Sequence, residues 1–137
     1  MADDVLLNKA AIIERCLGRI RDEYVGHESE LETNFTRQDA IVLNLQRACE
    51  AAIDGAMHLV RLHRLGLPQD SRDAFSLAVE AGLLPRDLGA VMEAMVGFRN
   101  VAVHDYRKLS LPIVRKILEA HLADLQAFSA LMIKMSA

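Results

Sequence analysis

The stretch Met95-Val96-Gly97-Phe98-Arg99-Asn100-Val101-Ala102-Val103-His104-Asp105-Tyr106 decides how the rest of the chain is read. Its apolar residues make it the end of a helix, and an Arg, an Asn, a His and a Tyr are set into that end. Arg carries a permanent planar cation that grips a phosphate through two hydrogen bonds, and His gains and loses a proton near neutral pH. Together they point to a phosphodiester. At about 100° per residue, Arg99 and His104 lie roughly 140° apart on a continuous helix, whereas Asn100 and His104, four residues apart, share a face. Asn100 is thus placed to orient His104. Arg99 must reach round, or the helix must loosen, or a second copy of the chain must complete the pocket. The helix is expected to fray from Asp105 to Lys108, where an extended backbone would bring Tyr106 beside His104.

Outward from this stretch the pattern is helical throughout. Val5, Leu6, Ile12, Ile13, Cys16, Leu17 and Ile20 recur at three- and four-residue steps and predict a first helix from about Asp4 to Tyr24. Gly26 and the acid-rich run to Asn34 break it, with His27 as an exposed loop residue. Thr36 is the expected N-cap of a second helix, with Asp39 three residues on, and Gly66 followed by Pro68 is its expected stop after Leu65. The stripe Ile41, Leu45, Ala48, Ala52, Ala56, Leu59 and Val60 is rich in small residues that let another helix approach closely. Asp70 or Ser71 caps a short third helix ending at Gly82, and Pro85 suits the first turn of the fourth, which carries Leu88, Val91, Met92, Met95 and Phe98 into the motif. Ser110 with Pro112 opens a fifth helix expected to run nearly to Ala137, with His121 as a hydrogen-bonded structural residue.

With 137 residues there is room for one domain and one core, here residues 1–137. The expected fold class is all-α, an antiparallel bundle of about five helices. No apolar run reaches the ~18 residues of a membrane span and the N-terminus is acidic, so a cytoplasmic protein with no membrane partner is expected. The two cysteines, Cys16 and Cys49, sit in apolar helical patterns and offer no paired metal or redox motif. No cofactor or metal is implied.

A net charge of −3 excludes a protein that coats nucleic acid by bulk electrostatics. The distribution matters more: between Gly97 and Leu118 the basic residues Arg99, Arg107, Lys108, Arg115 and Lys116 face a single acid, Asp105. That local excess can attract an RNA backbone, which makes Arg107, Lys108, Arg115 and Lys116 candidate RNA contacts. Glu50, Asp54 and His58 form a polar row at four-residue steps on the second helix. Such a row serves solvation and ion pairing more often than chemistry; if it serves the site, Asp54 is the residue to hold Arg99.

Gly97-Phe98-Arg99-Asn100 followed by Val103-His104-Asp105-Tyr106 resembles the signature of HEPN-domain ribonucleases. The Arg-x-x-x-x-His-x-Tyr form more narrowly resembles the HepT toxins of HEPN/MNT toxin–antitoxin pairs. Asn44 to Ala48, Ala52 to Asp54, and Leu67 to Phe75 are also similar to that family. The resemblance implies a HEPN-like fold, a homodimer with its motifs across the interface, and a partner antitoxin of the minimal nucleotidyltransferase (MNT) type. That antitoxin transfers AMP onto the motif tyrosine, here Tyr106, and silences the ribonuclease by adding bulk and negative charge where an RNA phosphate should lie.

The residues themselves suggest how cleavage would run. No clustered carboxylates of the two-metal kind occur, but RNA brings its own nucleophile, the 2′-hydroxyl. His104 then acts as general base or acid, Arg99 neutralises charge on the phosphoryl oxygens, and Asn100 fixes the imidazole or a phosphate oxygen. The competing expectations are a non-catalytic helical subunit that binds nucleotide or supports a nucleotidyltransferase, and a structural dimer module whose motif residues form a buried polar network.

Overall fold

The computed structural model describes residues 2–137. Among them are six α-helices and two short 3-10 turns, with no strand. The first helix, α1 (Asp4–Tyr24), starts where expected because the Asp3 carboxylate accepts hydrogen bonds from the Val5 and Leu6 amides. A 3-10 turn at Glu28–Glu30 follows, and His27 Nδ1 lies 2.9 Å from Glu30 Oε2.

The second helix, α2 (Phe35–Leu62), has its cap two residues before the expected one. Asn34, not Thr36, is the N-cap, its Oδ1 accepting from the Arg37 amide at 3.1 Å. It also ends before Leu65. His63 and Arg64 turn the chain, with Arg64 at φ 52°, and the Leu65 amide reaches back to the Val60 carbonyl at 3.0 Å. This is a Schellman-type stop with an arginine in the left-handed position where glycine is usual. The helix α3 (Ser71–Glu80) is capped by Asp70 and closed the same way through Gly82 at φ 77°, with the Leu83 amide on the Ala78 carbonyl.

Pro85 caps α4 (Arg86–His104) rather than entering its first turn. The expected fifth helix is two: α5 (Leu111–Ala120) and α6 (Leu122–Met135). The break is at His121, whose backbone leaves the helical range at ψ 0° while its ring pairs with Asp124 at 2.9 Å. The apolar pattern runs on through the break, so periodicity alone could not reveal it.

The architecture is all-α and antiparallel, with α1, α2 and α6 at its centre. Arg37 at the start of α2 donates to the Glu23 carbonyl at the end of α1, and His58 near the end of α2 meets Asp3 at the start of α1. Leu6, Ile13, Leu17 and Ile20 of α1 and Ile41, Leu45, Ala52 and Leu59 of α2 are all buried. Each fully buried Leu or Ile contributes about 1.5–3 kcal/mol. Ala48, Ala52 and Ala56 of the small-residue stripe are buried, and beside them, at Gly55, Met132 of α6 packs its thioether into the space a side chain would fill. Phe75 of α3 meets Phe128 of α6 edge to face at 5.6 Å.

One polar seam runs through this core. Glu14 of α1 accepts from Gln126 and, at 2.9 Å, from the fully buried Ser129 hydroxyl of α6. Among the described residues no helix is long and apolar enough to cross a membrane.

Candidate active site

The motif helix α4 lies antiparallel on α2: Arg99 is close enough to Cys49 for its charge to act on the thiol, and Tyr106, just beyond the end of α4, reaches Asp39 near the start of α2. Met92, Met95, Val96, Phe98 and Ala102 are buried, which fixes the helix in rotation. Arg99 and Asn100 are left half-buried at its edge, and His104 is exposed in the last helical residue.

The helix does not loosen between Arg99 and His104, so these two keep their angular separation within one chain. Arg99 deals with this through its neighbour. Its Nη1 donates to Asn100 Oδ1 at 3.0 Å, which draws the guanidinium toward the face Asn100 shares with His104. Arg99 Nε is buried without a partner. A buried guanidinium N–H left unpaired is costly, and Arg37 Nε and Asn44 Oδ1 are buried without a partner in the same way. Asn100 makes no hydrogen bond to His104; its Oδ1 is taken by Arg99.

Beyond His104 the helix frays as expected. Asp105 leaves the helical range at φ −153°, and a 3-10 turn at Tyr106–Lys108 follows. Asp105, the single acid of the basic segment, organises this turn: its carbonyl accepts from the Lys108 amide at 2.9 Å and its carboxylate pairs with Lys108 Nζ at 3.4 Å. The turn swings the Tyr106 ring against α2, where its hydroxyl donates to Asp39 Oδ1 at 2.7 Å. Partial burial and the neighbouring carboxylate push the phenol up to about 12.

The other candidates fall less neatly. Asp54 does not hold Arg99: it pairs with Lys9 of α1 at 3.2 Å on a solvent-facing edge. His58 of the same row pairs with Asp3 at 2.8 Å, so two of the three residues in the Glu50, Asp54, His58 row are interhelical fasteners. Arg115 is engaged within its own chain. Its guanidinium donates to the Tyr24 hydroxyl and the Glu28 carbonyl, each at 3.1 Å, and to the Glu32 carboxylate, which is held below the usual range by that bond. Arg107 and Lys116 remain exposed. Lys116 lies apart from the motif end, beside an apolar groove with Ala94, Phe98 and Ile113.

A family model described as ribonuclease HepT-like matches residues 13–132. The chain belongs to the HepT-like ribonuclease family. It is 46% identical over 126 residues to the mRNA nuclease HepT of Shewanella oneidensis, covering 92% of this chain and 94% of that one. The tri-AMPylated Shewanella oneidensis HEPN toxin, solved in complex with MNT antitoxin, matches with a TM-score of 0.89 at 45% identity over 95% of this chain and 97% of the toxin. A toxin–antitoxin structure with AMP-PNP matches at 0.88 and 43% identity, covering 95% and 98%. The bundle is therefore the HEPN toxin fold.

Two residues of this HepT-like chain escaped the sequence. Asp39 meets Tyr106 at a sequence separation of 67, and the sequence offers it only a role in helix capping. Arg72 of α3 lies against Gly97, its Nη2 about 3.2 Å from where a side chain there would begin. Gly97 is two turns before His104 and shares its face. A glycine inside a helix was the available signal, since it often marks a close approach.

Proposed function

We propose that this chain is the toxin of a toxin–antitoxin pair and cuts RNA without a metal ion. In the reaction the RNA 2′-oxygen attacks the adjacent phosphorus, giving its proton to His104. The P–O5′ bond breaks, and the departing 5′-oxygen takes a proton from His104 of a second copy. The ends produced are a 2′,3′-cyclic phosphate and a 5′-hydroxyl. Arg99 neutralises the charge growing on the phosphoryl oxygens, with Asn100 holding it. Arg107, Lys108 and, more distantly, Lys116 guide the strand; Arg115 is left out, being tied to Glu32.

The observation that carries this is the Arg99–Asn100 bond, with an orphaned Arg99 Nε beside it. It presents a preorganised cation at the half-buried edge that leads to an exposed histidine. Because Arg99 and His104 diverge on one helix, a homodimer with two motifs at one cleft supplies what a single chain lacks. One His per chain also cannot take and give a proton in the same step.

The antitoxin is an MNT-type nucleotidyltransferase that silences the enzyme by placing AMP on Tyr106. The relative AMPylated in its antitoxin complex supports the pairing, and the exposure of Tyr106, two residues after His104, supports the position.

The test is cleavage of end-labelled RNA in excess EDTA by the wild type, Arg99→Ala and His104→Ala at equal helicity. Cleavage by the wild type alone, leaving cyclic-phosphate ends, is expected. No cleavage by wild type shown by mass to carry no adenylate would point instead to a non-catalytic subunit of a nucleotidyltransferase. Unfolding of Arg99→Ala would point to a structural polar network.

A further inference from the structure

Tyr106 is held in a defined place before any partner arrives. Its ring lies in a hollow of α2 formed with Val42, Leu43 and Gln46, and its hydroxyl donates to Asp39 Oδ1 at 2.7 Å. No other titratable side chain lines that hollow. A phenol is a poor nucleophile while it keeps its proton, and burial with a carboxylate neighbour makes this one harder than usual to ionise, at about 12. A nucleotidyl transfer onto Tyr106 at neutral pH therefore needs an acceptor in contact with the proton. The chain supplies one.

We infer that Asp39 is the general base of its own chain's modification, taking the Tyr106 proton as the phenolic oxygen attacks an adenosine triphosphate bound by the nucleotidyltransferase partner. The inference rests on the Tyr106 modification proposed above. In the step, the Tyr106 oxygen forms a bond to the α-phosphorus, the bond from that phosphorus to the β-phosphate oxygen breaks, and pyrophosphate leaves. The phenolic proton passes to the Asp39 carboxylate and from there to water. Geometry meets the requirement for a base: heavy atoms within 2.6–3.2 Å, already formed in the unbound chain.

The test is single-turnover adenylylation of the unmodified full chain by its nucleotidyltransferase with ATP and Mg²⁺, followed by intact mass from pH 6 to 9. Asp39→Asn keeps an acceptor for the Tyr106 hydroxyl and removes the base. Its rate is expected to fall about 10²- to 10⁴-fold at pH 7 and to climb with pH as hydroxide takes over, where the wild-type rate stays flat. Asp39→Glu, which keeps a carboxylate, should retain the flat profile with a smaller loss. An Asp39→Asn chain modified at the wild-type rate, or slowed with a flat profile, overturns the inference. If Asp39→Asn fails to fold, a steep profile in Asp39→Glu overturns it instead. Absence of any adduct on the wild type, or an adduct that survives Tyr106→Phe, would instead sink the Tyr106 assignment on which it rests.

Discussion

Asn100→Asp separates the charge of Arg99 from its position. The replacement is nearly isosteric and keeps the oxygen that accepts from Arg99 Nη1 at 3.0 Å. What changes is charge: a carboxylate at this place attracts the guanidinium by about 4 kcal/mol at an effective dielectric near 20. Desolvation of the new half-buried anion offsets most of that, so unfolding free energy should move by no more than about 1 kcal/mol. The cost falls on catalysis. A guanidinium already paired with a carboxylate has little left for phosphoryl oxygens, and losing such preorganised stabilisation costs about 2.7–4 kcal/mol, or 10²- to 10³-fold in rate. The assay is single-turnover cleavage of a labelled RNA beside a melting curve, with Arg99→Ala as the floor. Asn100→Asp that melts like wild type and cuts within about tenfold of it, a barrier change under 1.4 kcal/mol, would refute the role given to Arg99.

Other outcomes can be checked on the fold alone. Phe128→Ala, at the edge-to-face contact with Phe75, should cost about 3–5 kcal/mol in chemical denaturation. Gly89→Ala should destabilise by about 1–3 kcal/mol despite its better helix propensity, because the new methyl collides with the Val79 side chain on α3; calorimetry showing a higher melting temperature would contradict this. Burial raises both thiols, Cys49 to about 12, so native protein at pH 8 should resist iodoacetamide and denatured protein should take two equivalents by mass. The His58 bond holds the Asp3 carboxyl below its ordinary value. Its stabilisation is present above the unfolded carboxyl range and is lost as pH falls through the folded value. The stability gap between wild type and Asp3→Asn should thus be open at pH 7 and close in acid.

What the sequence could and could not reveal follows from the range of each interaction. The extent of α1 was legible because its apolar residues recur at three- and four-residue steps up to the break at Gly26. The motif was legible because Arg99, Asn100 and His104 share one helix, whose angles are fixed in advance. The end of α2 was misplaced because Arg64 adopts the left-handed conformation that Gly66 advertised. The split at His121 was missed because apolar spacing persists across it. The partners of Arg115 and Asp54 were not legible, because a cation or anion on a helix face does not declare its partner, and Glu32 and Lys9 come from distant parts of the chain. The same distance hid Asp39, whose hydrogen bond to Tyr106 no local pattern encodes.

The seam that joins Glu14 to Gln126 and Ser129 bears on how the chain folds in time. The α1–α2 hairpin closes over a short turn, so its contacts can form early at small entropic cost. The α1–α6 seam links positions more than 110 residues apart and must wait for nearly the whole chain. Substitutions at Ser129 should accordingly leave the refolding rate almost untouched and accelerate unfolding, whereas truncations of Leu45 or Leu17 should slow refolding. For a chain of this kind, native lifetime would be set at the last seam to close and the first to open.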